Sequence, residues 1–114
     1  MEKITPQQER AQLQEKITAS PENTQEIVTE HAQLTPEEIY TPDYQYSPEQ
    51  IKEMEKNILD SSHKEKEETI SRLFSIAEEK GILNAIKVSK NLPESLMDEF
   101  HDHLVKSLQD ENKS

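Results

Sequence analysis

The chain has 114 residues, of which 31% are apolar, 4% aromatic and 32% charged, enough for one small domain but too few apolar side chains for the whole length to form a single well-packed core. With 24 acidic against 13 basic residues and a formal net charge of −11, it lacks the basic surface that direct nucleic-acid binding or an anionic membrane surface would require. Cysteine is absent, excluding disulfides and thiolate metal sites; no apolar run approaches the roughly 20 residues of a membrane span, and MEKITPQQER has no apolar signal-peptide region, so a cytoplasmic location without membrane insertion is expected.

From the N-terminus, a Ser or Thr followed by Pro recurs at Thr5-Pro6, Ser20-Pro21, Thr35-Pro36, Thr41-Pro42 and Ser47-Pro48. Each is a good helix start, because the hydroxyl can accept from a free first-turn amide and proline suits the first helical position. Thr5 with Gln8, Thr35 with Glu38 and Ser47 with Gln50 also have the spacing of a capping box. The first three starts lie 15 residues apart, which suggests a repeat, yet the units share little beyond the start. Short helices are predicted over 6–18, 21–33 and 36–40. Their apolar content is thin, with Leu13 and Ile17 on the first and Ile27, Val28, Ala32 and Leu34 on the second. Isolated helices this short are marginal in water, so residues 1–46 are expected to be a largely flexible acidic arm.

All three tyrosines, Tyr40, Tyr44 and Tyr46, lie in YTPDYQY. They either fold their rings back on a helical core or serve as exposed anchors for a partner, a role in which aromatic residues are favoured. A longer helix is predicted from Ser47 to about Asp60, with Ile51, Met54 and Ile58 on one narrow stripe and charged residues such as Lys52 and Lys56 around it. The polar run that follows predicts a turn near Asp60–Ser62.

Thr69–Leu108 is the only stretch rich enough to build a core. Ile70, Leu73, Phe74 and Ala77 share one helical face, as do Met97, Phe100, Leu104 and Leu108. Between them Ile82, Leu83, Ala85, Ile86, Val88 and Leu92 leave almost no polar face, the pattern of a helix packed on two sides. Gly81, the sole glycine, falls where the first of these helices should end and suits a left-handed C-cap. Pro93 marks the break before the third. A compact three-helix unit follows, with the 47–60 helix docked on it.

Chemistry-bearing clusters are few. Asp98-Glu99-Phe100-His101-Asp102-His103 holds two histidines two residues apart, about 200° around a helix, so they cannot share an ion; helix-borne zinc ligands need i, i+4 spacing. Asp98, His101 and Asp102 could converge, as could Glu99 with His103, but with one imidazole each. Ser89 near His101 lacks a nucleophile turn and an oxyanion hole. His31 and His63 sit in polar stretches and carry no signal.

Glu79-Lys80-Gly81-Ile82-Leu83-Asn84-Ala85-Ile86, followed by Asp98-Glu99-Phe100-His101-Asp102 and Leu104-Val105, resembles a short helical segment of uncharacterised proteins from candidate-phylum (Patescibacteria-type) bacteria. In several of these the segment precedes membrane-associated or type IV secretion-like ATPase regions. The resemblance covers residues 66–108 and departs from the family pattern at Leu92-Pro93, where Asn-Pro is usual. It implies only a small helical module, an adaptor to a larger assembly, and carries no activity over to this chain.

The expected protein is therefore all-α: an acidic, Pro-punctuated arm over 1–46 and a small helical domain over 47–114. It is expected to be a non-catalytic protein-binding module without metal or cofactor, with Tyr40, Tyr44, Tyr46, Ile76, Leu83, Val88 and Val105 as candidate contacts to a protein partner or to a second copy of the chain. Simple burial of Ile76, Leu83, Val88 and Val105 against the 47–60 helix is the competing reading. The alternative function is an acidic inhibitor or DNA mimic that occupies a basic nucleic-acid-binding protein; a metal-dependent hydrolase on Asp98, His101 and Asp102 is a third.

Overall fold

Whether a Ser/Thr-Pro start becomes an α-helix depends on the residue three positions on. A computed structural model describes residues 2–61 and 66–111. In it, Thr5 and Gln8 form a reciprocal capping box at the head of α1 (Pro6–Ala19), and Thr35 and Glu38 do the same for α3 (Pro36–Ile39). At α4 (Pro48–Ser61) the Ser47 amide donates to Gln50 Oε1 at 2.8 Å and the Gln50 amide to Ser47 Oγ at 3.2 Å. Ser20 and Thr41, followed at that distance by Asn23 and Tyr44, make no side-chain cap and start only 3-10 turns, Pro21–Asn23 and Pro42–Tyr44. The helix predicted over 21–33 is accordingly shorter: α2 runs from Thr24 to His31. Without a Glu or Gln to reach back to the cap's own amide, the start holds one donor fewer.

The C-terminal unit has the expected form. Helices α5 (Lys66–Glu79), α6 (Ile82–Ser89) and α7 (Glu94–Glu111) pack together, and α4 lies on α6 and α5. Of the eight residues of α6 only Lys87 is not buried. Phe74 and Phe100 meet edge to face across α5 and α7, ring centroids 5.3 Å apart. Asp60 and Ser61 still belong to α4, while Ser62, the rest of the expected turn, lies outside the described residues, as does His63.

The N-terminal region departs from the expectation of a largely flexible arm. Leu13, Ile17 and Val28 are buried in one cluster with Leu73, Ile82, Phe100 and Leu104, and Ile39 and Tyr40 form a second with Leu83. Ile4 and Tyr40 make an isolated parallel bridge, with the Ile4 amide donating to the Ile39 carbonyl at 2.7 Å and the Thr41 amide to the Ile4 carbonyl at 3.0 Å. The radius of gyration, 13.6 Å, equals that of a fully compact chain of this length, about 13 Å. The physical reason is a stripe on α1 that composition hides: Pro6, Glu9, Leu13 and Ile17 are its buried residues, and one of the four is charged.

Glu9 is buried because every acceptor site of its carboxylate is used. Its Oε1 accepts from the Tyr40 hydroxyl at 2.7 Å and the Ile82 amide at 2.8 Å. Its Oε2 accepts from the Leu83 amide at 3.0 Å and from His31 Nε2. The two amides are free donors at the head of α6, where the helix dipole favours an anion. Gly81, at φ 118°, turns the chain into that head. A methyl group on Gly81 would lie 2.3 Å from Tyr40 Oη, so the glycine answers both a positive φ and the approach of the phenol.

Candidate functional site

The polar contacts that hold the N-terminal region to α6 also shape a groove between α3, the start of α4 and the end of α6. One wall is the segment after Tyr40. Gln45 Nε2 donates to the Tyr40 carbonyl at 2.6 Å, and Asn84 Nδ2 on α6 donates to the Tyr44 carbonyl at 3.1 Å. Tyr44 stands edge-on to Tyr40, ring centroids 6.3 Å apart. Tyr46 is half-buried beneath the Lys80 ammonium, which lies 5.6 Å from its ring centroid, a cation–π contact. The opposite wall is tied to the end of α2, where Lys87 Nζ and Lys90 Nζ both donate to the Ala32 carbonyl, at 3.0 and 3.4 Å.

The groove encloses about 540 Å³ and is lined by Thr35, Pro36, Glu37, Tyr46, Pro48, Ile51, Lys52, Lys87, Lys90 and Asn91. Pro36 and Ile51 are buried at its floor, and Lys52 and Lys90 are exposed at its rim. Three of the chain's 13 basic residues meet one carboxylate here, against an overall excess of acids. Burial, and then the neighbouring Lys90 charge, push the Lys87 ammonium pKa below its ordinary value, with Glu38 opposing weakly. Among the described residues none of the three lysines forms an ion pair. All three line the groove.

The sequence-based contact residues are distributed unevenly. Tyr40, Leu83 and Val88 have no exposed surface, and in this fold they are closed to any partner. Both are buried, as the competing reading has it, but Leu83 is covered by Ile39 and Tyr40 and not by the 47–60 helix that reading named, while Val88 lies within the main core. The Tyr40 phenol is held far above its ordinary pKa by burial and by the adjacent Glu9 carboxylate. Tyr44, Ile76 and Val105 are half-buried; Ile76 lines a shallow hollow of about 260 Å³ with Met54 and Ile58. Tyr46 alone of the seven lines the lysine-rimmed groove.

Glu9, His31 and the groove lysines carry no sequence signal of this kind. Glu9 and His31 are 22 residues apart, and only the fold pairs them. The one available hint was register, since Glu9 lies four residues before Leu13 on the same helical face.

The acidic-histidine run on α7 stays dispersed. His103 sits 3.9 Å from Glu99 at the surface. His101 borders a separate hollow of about 340 Å³ with Ser89, Met97 and Asp98. Ser89 is buried, its hydroxyl donating to the Ile86 carbonyl at 2.7 Å. No group of three or more His, Asp or Glu among the described residues is placed to hold a metal ion, and no helix among them is long and apolar enough to cross a membrane. No family model, curated protein or solved structure matches the chain.

Proposed function

We propose that this chain is a non-catalytic protein-binding module that docks through the groove between α3, α4 and α6. The observation that carries the reading is the groove itself: an apolar floor of Pro36, Tyr46 and Ile51 under a lysine rim, in the size range of ligand sites, about 300–1,000 Å³. Apolar anchoring gives affinity, and a rim of one sign selects partners by charge. The resemblance of residues 66–108 to the candidate-phylum segment supports placing the module beside a membrane or secretion-type assembly, on its cytoplasmic side.

The net charge of −11 favours one other reading, an acidic inhibitor that mimics nucleic acid. Capture with the full chain as bait, at low and moderate ionic strength and with duplex DNA as competitor, separates the two. Docking through an apolar floor under a charged rim predicts a partner captured more weakly but still retained at moderate salt, and indifferent to DNA. Loss of the partner at moderate salt together with displacement by DNA would establish the mimic instead. Capture of nothing under either condition would overturn the binding-module reading.

A further inference from the structure

Resting on the binding-module reading, we infer that the groove takes a short, extended acidic peptide segment of a partner protein, anchored by one apolar side chain. Charge complementarity decides the occupant. Lys52, Lys87 and Lys90 face Glu37 as the one acidic lining residue, a local reversal in a chain with 24 acids and 13 bases. The Ala32 carbonyl is the shared acceptor of Lys87 and Lys90. An ammonium carries three donors, so one carbonyl oxygen leaves most of the donors on the pair unspent. A carboxylate between them would accept from both and relieve their mutual repulsion.

The end of α6 does not compete for these charges. Three of its last four carbonyls are taken by backbone amides: Lys90 donates to Ile86 at 3.1 Å, Asn91 to Val88 at 3.3 Å and Leu92 to Ser89 at 3.1 Å. Asn91, exposed on the rim, offers an amide donor and an acceptor to a peptide backbone. Below the rim, Pro36, Ile51 and the half-buried Tyr46 ring present carbon to the occupant, which is why it must bring an apolar side chain as well as charge. A nucleic acid meets the lysines but not the floor, and its long run of phosphates would face the acidic remainder of the surface. The hollow beside His101 gives no such selection, because its lining balances Lys90 with Asp98.

Fluorescence anisotropy with the full chain tests this. The probe is a short labelled peptide of alternating glutamates around a central leucine–phenylalanine pair. Its controls carry glutamine for glutamate or serine for the central pair, and an oligonucleotide of equal charge is run beside them. The acidic apolar peptide is expected to bind at least about tenfold more tightly than any control. The double variant K52E/K90E, changed at two exposed positions, gives up the Lys90 bond to the Ala32 carbonyl and is expected to stay folded with a somewhat lower melting temperature and to lose at least about tenfold in affinity. Backbone amide shifts on binding should centre on Tyr46, Ile51, Lys87, Lys90 and Asn91. Equal binding of the glutamine control, preference for the oligonucleotide, shifts centred elsewhere, or an unaffected K52E/K90E would each overturn the acidic occupant. If K52E/K90E still captures the wild-type chain's protein partner, this inference fails while the module reading stands; if the wild-type chain captures none, the module reading fails with it.

Discussion

At the scale of single residues, Glu9 is the side chain on which most depends. A buried carboxylate is tolerated only when its lone pairs are occupied, and here a phenol, an imidazole and two amides occupy them. Glu9→Ala would strand three of those donors, since the Leu83 amide also donates to the Tyr40 hydroxyl at 2.9 Å, and is expected to lower stability by about 3–5 kcal/mol. Glu9→Gln keeps the shape but turns an NH2 toward donors, and about 1–3 kcal/mol is expected; urea unfolding of the two variants checks both. Gly81→Ala combines a positive φ with a methyl 2.3 Å from Tyr40 Oη, and should cost about 3 kcal/mol or more. The ring carbon Cζ of Tyr40 would lie only 2.6 Å from the same methyl, so removing the ring and not just the hydroxyl, with Tyr40→Ala as the second change, should recover part of that loss in a double-mutant cycle. Tyr40 also sets an alkaline limit. Its phenol pKa is raised in the folded chain, so the stability it contributes is complete below the ordinary tyrosine value of about 10. That contribution falls as pH rises further, because the unfolded chain releases the proton first. Unfolding free energy should therefore decline more steeply above about pH 10 in the wild type than in Tyr40→Phe, and parallel declines would show that the phenol is not so held.

At the scale of elements, five starts of one type separate into three helices and two 3-10 turns according to a single later residue. The single-turn helix α3 depends most on its cap, and Thr35→Ala should cost about 1 kcal/mol. The converse is sharper. Asn23 makes no side-chain cap for α2, so Asn23→Gln removes nothing and supplies Ser20 with the missing partner. Carbon chemical shifts should then report α-helix through 21–23, and an unchanged turn would show that local capping does not decide these starts. This level was legible in the sequence, because a capping box is written within four residues. So was α6, whose all-round apolarity matches its burial, and so was the need for glycine at position 81. What lay out of reach was pairing across distance. Tyr40 meets Glu9 over 31 residues and the Ile82 amide meets it over 73, and no local pattern records either. Lys52, Lys87 and Lys90 read as ordinary solvated charges until α2 and α4 bring them to one rim.

At the scale of the molecule, the thin apolar content of residues 1–46 suggested a chain segment unable to hold itself in place. By itself that is sound, because Leu13, Ile17 and Val28 bury too little to stabilise isolated helices. They are buried against α5, α6 and α7 instead, and a carboxylate that composition counts as solvated is their central attachment. The groove is a product of this union, with one wall from the N-terminal region and the other from the C-terminal unit. Residues 47–114 alone should consequently lose the cap of α6 and part of the core, and melt well below the full chain by circular dichroism. Amide hydrogen exchange of the full chain tests the union most directly. The account predicts that the amides of Leu13, Ile17 and Val28, and those of Ile82 and Leu83 that Glu9 accepts from, exchange as slowly as the amides of Leu73 and Phe100, all opening in one cooperative unit. Exchange of the N-terminal amides at the rate of an unfolded peptide, with α5 and α7 still protected, would contradict it and remove the wall on which the groove depends.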